Sequence, residues 1–280
     1  MLPFTKLHGL GNDFVFVNDL DERLQDEELP DLARAVCDRH FGVGADGLVQ
    51  VLPSAHADFR MRIHNSDGTE AAHCGNAIRC FAKFVCERGL HAEPTLTVET
   101  IGRLNRLRAE ICGGRVERVR VDMGEPIFVR ERIPVAGPGS AEVINEPLQV
   151  GGRQLQMTAL SMGNPHAVIF VENIEEFPLE QIGPLVERHE AFPDRINAEF
   201  VQVLSPTDLR MRVWERGAGP TLACGTGACA TLVAAARTGR AERRATVRVD
   251  GGDLEIEWTA DNHVLMTGPA TEAFTGEWPR

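Results

Sequence analysis

The chain has 280 residues, of which 43% are hydrophobic and 25% charged, a composition typical of a globular protein of about two domains. Its formal net charge of −12 argues against a nucleic-acid partner, which would need a basic surface. No apolar run approaches the roughly 20 residues of a membrane span, and Lys6, His8 and Asp13 stand where a signal peptide would be apolar, so we expect a cytoplasmic protein that binds no membrane.

Cysteine and lysine usage argues against two further classes of protein. The number of cysteines, seven, is odd, whereas a disulfide framework pairs its cysteines. None of them forms the Cys-x-x-Cys pair that is typical of a structural zinc site. Lys6 and Lys83 are the only lysines, so a pyridoxal-dependent racemase would have to use one of them as its Schiff-base partner. Neither lysine has the neighbours expected of a phosphate site.

The elements of the first half can be predicted in chain order. The acidic stretch Asp19–Asp31 is expected to be a solvated loop that leads into a helix. Alternating apolar residues in Asp58–Ile63 indicate a half-buried strand, and Thr95–Thr100 has a similar pattern. Between them a helix is predicted after Cys74 that ends at Gly89. Four of its apolar residues share one face: Ile78, Phe81, Ala82 and Val85.

The second half repeats these predictions. The segment Pro134–Asn145, rich in Pro and Gly, is expected to connect the two halves. Asp208–Val213 alternates like the first strand, and Ala245–Val249 indicates another. Between them Ala228–Ala236 is apolar almost all round, which predicts a buried helix ended by Gly239.

Four short segments recur in the same order about 150 residues later. The matching pairs are 11–12 with 163–164, 49–52 with 201–204, 58–63 with 208–213, and 74–75 with 224–225. Because four matches in one order are hard to obtain by chance, the repeat predicts an internal duplication. The fold class is therefore expected to be α/β, with two similar lobes.

A cysteine stands at the same place in both halves. Cys74 and Cys224 each precede a glycine and a helix start, where several backbone N–H groups have no partner within the helix. The partial positive charge of these groups favours a thiolate, and the same groups can bind a carboxylate. The other cysteines are expected only to pack in the interior: Cys37, Cys80, Cys86, Cys112 and Cys229.

Two equivalent cysteines suit one type of reaction. Duplicated lobes that face each other across a cleft would bring Cys74 and Cys224 to opposite sides of one carbon atom. One thiolate would remove a proton from one face, and the other thiol would deliver a proton to the opposite face, which inverts the stereocentre. The repeat therefore predicts a racemase or epimerase whose active site lies in the cleft between the lobes.

Several motifs together resemble the diaminopimelate epimerases, from residue 4 to about residue 270. These motifs are His8–Phe14, Asn65–Gly68, Cys74–Asn76, Ser161–His166, Glu215–Gly219 and Ala223–Cys229. The resemblance implies epimerisation of LL-2,6-diaminopimelate to the meso form without cofactor or metal, in lysine and peptidoglycan precursor biosynthesis, by a homodimer. It also implies two pseudo-symmetric lobes, residues 1–120 joined by 270–280 and residues 121–269, each a curved, mostly antiparallel sheet around a central helix.

The resemblance also assigns roles to individual residues. It implies that Cys74 and Cys224 are the acid/base catalysts, and that His166 and Glu215 tune the pKa values of the two thiols. An imidazolium lowers a thiol pKa, and a carboxylate raises it. The implied substrate-binding residues are Asn12, Gly47, Asn65, Gly75, Asn76, Asn164, Asn197, Glu215, Arg216, Gly225 and Thr226. Some members of the family carry glutamine where this chain has Gly47, so that side-chain contact is lost.

Other interpretations fit the sequence less well. The nearest is another cofactor-independent racemase similar to proline racemase, although those enzymes usually carry Asp-Arg-Ser-Pro directly before the cysteine that corresponds to Cys224. Phenazine-type isomerases generally lack the paired cysteines. A metal-binding protein would use His64 and His73 near Cys74, but the second half has no matching histidines, and the cysteine spacings fit no tetrahedral zinc pattern.

Overall fold

The computed structural model describes residues 1–71, 74–138 and 141–279. The chain divides into two compact units, Met1–Val121 with Thr267–Arg280, and Asp122–Met266. The first unit contains β1 (Leu2–Gly9), β2 (Asn12–Asn18), α1 (Leu29–Cys37), β3 (Gly47–Leu52), β4 (Phe59–Asn65), β5 (Glu70–Ala71), α2 (Gly75–Glu87), β6 (Thr95–Thr100), β7 (Arg103–Cys112), β8 (Arg115–Asp122) and β18 (Thr271–Trp278). The second contains a 3-10 turn (Arg130–Arg132), β9 (Val143–Val150), β10 (Arg153–Ser161), β11 (Pro165–Phe170), α3 (Leu179–Glu187), β12 (Asn197–Ser205), β13 (Asp208–Glu215), β14 (Gly219–Pro220), α4 (Gly225–Arg237), β15 (Arg244–Val249) and β16 (Gly252–Trp258), followed by β17 (Val264–Pro269), which runs on into the first unit.

The two units have the same strand pairing. In the first unit β2 is parallel to β3, β3 is antiparallel to β4, and β4 is antiparallel to β5 and parallel to β6, which pairs with β7. In the second unit β11 to β16 pair in the same way and in the same order. Strands β1 and β10 also correspond, since each has an antiparallel neighbour on both sides. The predicted duplication is therefore confirmed, and most of these pairings are antiparallel.

Each unit has one helix at its centre. Helix α2 packs against β1, β2, β7 and β18, and helix α4 packs against β10 to β13, β15 and β16. Both units thus have the predicted architecture, a mostly antiparallel sheet around a central helix in an α/β fold. The longest helices in the described ranges, α2 and α4, have 13 residues each. No helix in these ranges is long and apolar enough to cross a membrane.

The remaining two helices are amphipathic and lie on other strands. Helix α1 packs against β3 and β4, and α3 packs against β9, β12, β13 and β14. Apolar residues spaced three or four apart bury one face of each helix. These are Leu29, Ala33 and Val36 in α1, and Leu179, Ile182 and Val186 in α3.

Helix α2 is more deeply buried than its amphipathic pattern predicts. Its polar Arg79 is completely buried, and Lys83 is nearly so. The Arg79 guanidinium donates to the Gly75 carbonyl oxygen at 3.0 Å and to Asn76 Oδ1 at 2.9 Å. Lys83 Nζ donates to Glu87 Oε1 at 2.6 Å. Lys83 Nζ also donates to the Val116 carbonyl oxygen at 2.8 Å, and Arg79 Nε donates to the Pro269 carbonyl oxygen at 3.2 Å. Both polar side chains can be buried because partners inside and outside the helix satisfy their hydrogen bonds.

The predicted strands are confirmed, the predicted connection between the halves is wrong, and the acidic stretch Asp19–Asp31 is mostly exposed and leads into α1 as predicted, with Asp19 as an exception. Strands β4, β6, β13 and β15 end within two residues of the predicted positions. Helix α4 is buried almost all round as predicted, but it begins at Gly225 rather than Ala228. The segment Pro134–Asn145 lies inside the second unit and leads into β9, so it does not connect the two units; its residues 139 and 140 lie outside the described ranges. Asp19 is buried rather than solvated, because it accepts hydrogen bonds from the backbone N–H of Arg23 and the side chain of Gln50.

The cysteines outside the two helix starts fall into two groups. Cys37, Cys80 and Cys229 are buried, as predicted. Cys112 is exposed at the end of β7 and Cys86 is partly exposed, so the expectation that these two pack in the interior is wrong. Burial raises the pKa of the Cys37 thiol and of the Cys80 thiol to about 12.

These buried thiols make the folded protein less stable at alkaline pH. We expect the free energy of unfolding to fall by about 2–3 kcal/mol between pH 8 and pH 10. Above pH 9.0, the ordinary thiol pKa, the Cys37 and Cys80 thiols ionise in the unfolded chain but stay protonated in the folded protein. The unfolded state then binds fewer protons, so this contribution is complete below pH 9 and is lost as the pH rises towards 12.

Urea denaturation at both pH values, with reductant present, measures this fall. The chain has no tyrosine, which removes one other side chain that titrates in this range. A Cys37→Ala/Cys80→Ala variant should lose these roughly 2–3 kcal/mol, and Cys224 and Cys86, whose thiol pKa values are also raised, account for part of the fall that remains. If it keeps the whole fall, other groups are responsible.

Candidate active site

Each central helix begins directly after a cysteine. Cys74 is the N-cap residue of α2, with an extended backbone (φ −144°, ψ 115°), and its carbonyl oxygen accepts the Ile78 N–H at 3.0 Å. Cys224 is the N-cap residue of α4, with φ −114° and ψ 108°, and its carbonyl oxygen accepts the Ala228 N–H at 2.9 Å. Both cysteines therefore directly precede first-turn N–H groups that have no partner within their helix, and the Cys224 side chain accepts from one of them.

Asn12 has an amide group of fixed orientation beside Cys74. Its Oδ1 lies 3.6 Å from Cys74 Sγ and accepts from Asn76 Nδ2 at 3.0 Å. Its Nδ2 donates to Asp46 Oδ2 at 2.6 Å, and Asp46 is itself paired with Arg39 at 2.8 Å. The structure thus brings together three residues named from the sequence, and it adds Asp46, for which no sequence signal was identified.

Gly47 and Asn65 are neighbours on paired strands. They face each other in the register of β3 and β4, and Asn65 Nδ2 donates to Thr69 Oγ1 at 2.9 Å. A Cβ atom at Gly47 would lie 2.8 Å from the His64 carbonyl oxygen. Because a backbone atom cannot move aside cheaply, this backbone conformation excludes a glutamine at Gly47.

Two alternative chemistries depend on histidines and lysines of the first unit. Among the described residues, which do not include His73, no group of three or more potential ligands could hold a metal ion. His64 is buried, and burial lowers its pKa below the ordinary value. Lys6 pairs with Asp13 at 2.6 Å and Lys83 with Glu87. Each lysine would have to leave a buried ion pair to form a Schiff base.

The Cys224 thiol lies in a buried and electronegative environment. Its Sγ accepts a hydrogen bond from the Gly227 N–H at 3.4 Å and lies 3.5 Å from Thr226 Oγ1. Burial raises the pKa of this thiol well above its ordinary value, and the carboxylates of Glu215 and Glu199 raise it further. Cys224 is therefore a thiol at neutral pH.

Glu215 ends strand β13, and Arg216 follows it. Burial raises the pKa of Glu215, the nearby Glu199 carboxylate adds to this, and a hydrogen bond from the Thr221 hydroxyl opposes it. The backbone N–H of Arg216 donates to Asn197 Oδ1 at 2.9 Å. The Arg216 side chain is exposed, so its guanidinium is accessible to an anionic ligand.

Glu187 of helix α3 supports this segment and was not predicted. Its Oε2 accepts from Trp214 Nε1 at 2.9 Å, and its Oε1 accepts from the Gly217 N–H at 2.9 Å. These two bonds hold the residues directly before Glu215 and directly after Arg216. Glu187 lies 27 residues before Trp214 on another element, so local pattern could not reveal the pairing.

His166 lies on strand β11 and is completely buried. Its Nδ1 is 2.7 Å from Glu199 Oε1, and its Nε2 is 3.0 Å from Asn164 Oδ1. Glu199 was missed in the sequence, although a charged residue within the apolar run Ala198–Val201 is a signal that could have identified it. The structure thus places Asn164 and His166 together with the residues around Cys224.

A model of the diaminopimelate epimerase family matches residues 4–129 and 158–272. The chain belongs to the diaminopimelate epimerase family. It is 56% identical over 279 residues to the diaminopimelate epimerase of Moorella thermoacetica, and the match covers 99% of both chains. The match to this family therefore includes both units and both cysteine motifs.

Solved structures of lower similarity share the fold of this diaminopimelate epimerase family member. A phenazine biosynthesis protein of the PhzF family from Bacillus anthracis is 18% identical with a TM-score of 0.71, covering 100% of this chain and 99% of that one. A probable proline racemase from Agrobacterium radiobacter K84 is 17% identical with a TM-score of 0.71, covering 100% and 93%. At this identity the likeness concerns the fold alone.

Proposed function

We propose that the protein interconverts LL-2,6-diaminopimelate and meso-diaminopimelate without a cofactor, in lysine and peptidoglycan precursor biosynthesis. The observation that carries the proposal is the repeated placement of Cys74 and Cys224 at the starts of the two central helices. Membership of the diaminopimelate epimerase family supports the substrate, and it favours this reaction over that of a proline racemase.

The reaction consists of two proton transfers at one carbon. The thiolate of one cysteine takes the α-proton, forming an S–H bond, and the electron pair of the broken C–H bond remains on the α-carbon and its carboxylate. The thiol of the other cysteine then donates its proton to the opposite face and becomes the thiolate. The charge on the protein is unchanged, and the same steps run backwards with the two roles exchanged.

Cys224 is the first proton donor in this scheme. Burial and the carboxylates of Glu215 and Glu199 keep it protonated at neutral pH. Cys74 is then the first base, and the partial positive charge at the start of α2 favours its thiolate. Once Cys74 has taken the proton, its thiol can donate to the Asn12 oxygen, 3.6 Å away.

Substrate binding is assigned to the groups around the two helix starts. The backbone N–H groups of Gly75 and Asn76 and of Gly225 and Thr226 hold the reacting carboxylate as the α-carbon becomes carbanion-like. The exposed Arg216 guanidinium binds the distant carboxylate with two parallel hydrogen bonds. The other proposed contacts come from Asn12, Asn65, Asn164, Asn197 and Glu215, and Gly47 contributes backbone only. His166 and Glu215 tune the thiol pKa values.

Two further features accompany this proposal. One substrate molecule must reach both cysteines, so we propose that residues 1–120 with 270–280 and residues 121–269 supply the two sides of one active site. Membership of the diaminopimelate epimerase family supports a homodimer and a cytoplasmic location.

Proton exchange in heavy water tests the proposed function. Purified protein is incubated with LL-diaminopimelate in D2O with reductant. The stereoisomers are then separated, and the deuterium content of each is measured by mass spectrometry. We expect the first meso product to carry one deuterium while recovered LL substrate carries little, because the incoming proton comes from a different group than the one that removed it. EDTA should not change the rate. Exchange on proline with none on diaminopimelate would refute the proposal.

A further inference from the structure

Glu199 is a buried carboxylate that raises the pKa of Cys224, and its contact with His166 points to a second role. It lies on β12 with no exposed surface, between apolar neighbours. Its Oε1 is 2.7 Å from His166 Nδ1, whereas its Oε2 is buried with no hydrogen-bond partner among the described residues. A buried carboxylate is costly unless a positive charge lies beside it. His166 is placed to supply that charge.

Both nitrogens of the His166 ring face oxygen atoms. Nδ1 lies 2.7 Å from the Glu199 carboxylate, and Nε2 lies 3.0 Å from the amide oxygen of Asn164. Both neighbours are hydrogen-bond acceptors, and a neutral imidazole donates from one nitrogen only. A neutral ring would therefore direct a lone pair at one of the two oxygens. The doubly protonated imidazolium satisfies both.

Three titratable groups from other elements lie around His166. Glu199 faces it from β12, Glu215 acts on it from the end of β13, and Cys224 lies at the start of α4. A Cβ atom at Gly227 would lie 2.7 Å from Glu199 Oε1 and 3.2 Å from Cys224 Sγ. Glu199 and the Cys224 thiol thus both lie next to Gly227, which has no room for a side chain.

We propose that Glu199 is a positioning residue that holds His166 as an imidazolium and, through its second N–H, fixes the amide of Asn164. When Asn164 Oδ1 accepts from His166 Nε2, the Asn164 NH2 group points away from the ring. It is then available as a donor to a carboxylate of the substrate. This last consequence rests on the proposed function, whereas the protonation state of His166 does not.

Nitrogen NMR of the full-length protein without substrate tests the assignment directly. In the wild type at pH 7.5 we expect the His166 ring, assigned with a His166→Gln variant, to show two protonated nitrogens. In Glu199→Gln, which keeps the shape but removes the charge, one ring nitrogen should lose its proton. A bare ring nitrogen in the wild type, or two protonated nitrogens in Glu199→Gln, would overturn the proposal.

A matched control separates this effect from general loss of a carboxylate. Asp122→Asn breaks a second pair, in which His263 Nδ1 lies 2.9 Å from Asp122 Oδ1 at a partly exposed site. It should leave the His166 signals unchanged. If Glu199→Gln does not fold, Glu199→Asp replaces it. This variant keeps the carboxylate, so we expect two protonated nitrogens on its His166 ring. A bare ring nitrogen in the wild type would still overturn the proposal.

Kinetics link the inference to the reaction. We expect Glu199→Gln to lower kcat/KM for LL-diaminopimelate by about 10- to 100-fold, by analogy with metal-bound histidines that lose the carboxylate orienting their ring. The pH dependence of kcat/KM should change as well, and Glu199→Asp should restore part of the loss. If the NMR result is as expected but the wild type does not act on diaminopimelate, the proposed function fails and the assignment of Glu199 stands.

Discussion

Replacement of Cys74 or Cys224 by alanine is expected to lower the rate of diaminopimelate epimerisation by about 1000-fold or more. A positioned acid or base commonly contributes 10²- to 10⁴-fold, and here each cysteine is needed in both directions of the reaction. Neither alanine can carry a proton, so a variant with one thiol can no longer invert the carbon. Formation of the meso isomer from LL-diaminopimelate, followed by chiral chromatography, measures the loss.

Two other cysteines provide matched controls for these variants. Cys112→Ala removes an exposed thiol from the first unit, and Cys229→Ala removes a buried thiol from α4 itself, five residues after Cys224. Cys112→Ala should keep full activity, and Cys229→Ala should keep it at temperatures where it is folded. Thermal unfolding shows whether each variant is folded.

The outcome that would contradict the two-cysteine reaction is specific. A folded Cys74→Ala or Cys224→Ala variant that keeps more than about one tenth of the wild-type rate would show that its thiol is not an obligatory proton carrier. Serine variants refine the test, because a hydroxyl keeps the shape and loses the acidity of the thiol. They should be nearly as inactive as the alanine variants.

The duplication was predictable because it is recorded in short strings of residues at a nearly constant offset. Strands with period-two alternation, such as Asp58–Ile63, and an apolar helix, such as Ala228–Ala236, carry their own burial pattern. The same repeat placed Cys74 and Cys224 at equivalent helix starts, and the structure has both as N-cap residues. Local pattern was sufficient for these features.

The partners of the site residues were not predictable in this way. Asp46, which orients Asn12, lies 34 residues from it, and Glu199 lies 33 residues from His166. These pairs form only when separate strands are brought together, so no spacing rule within one element reveals them. Their sequence signal is indirect: a carboxylate in an apolar run must find a partner somewhere.

Arg79 shows the same limit within a single helix. Its position among apolar residues of α2 predicts a polar face, yet the structure buries that face completely. The difference arises because β17 runs on from the second unit and the carbonyl oxygen of Pro269, at its end, accepts from Arg79 Nε at 3.2 Å. Burial of the guanidinium depends on a residue 190 positions later in the chain.

Arg79→Ala is accordingly expected to lower the free energy of unfolding by about 3–5 kcal/mol. The substitution removes the donors of two buried acceptors, on Gly75 and Asn76, and of the half-buried Pro269 carbonyl oxygen, and it leaves a cavity. It should also lower epimerase activity in the folded fraction, because Asn76 then loses the bond that orients its amide towards Asn12. Urea denaturation at pH 7.5 measures the first effect.

Two companion variants separate the contributions of Arg79. Arg79→Met refills most of the volume without restoring the donors, so the part of the loss that remains is due to the unpaired acceptors. Arg34→Ala is the matched surface control: its side chain is 51% exposed and pairs with Asp31 across one helical turn, so it should change stability by less than about 1 kcal/mol. A loss no larger in Arg79→Ala than in Arg34→Ala would mean that the buried guanidinium contributes nothing net. In that case other groups must orient the Asn76 amide and, through it, the Asn12 Oδ1 atom that faces Cys74.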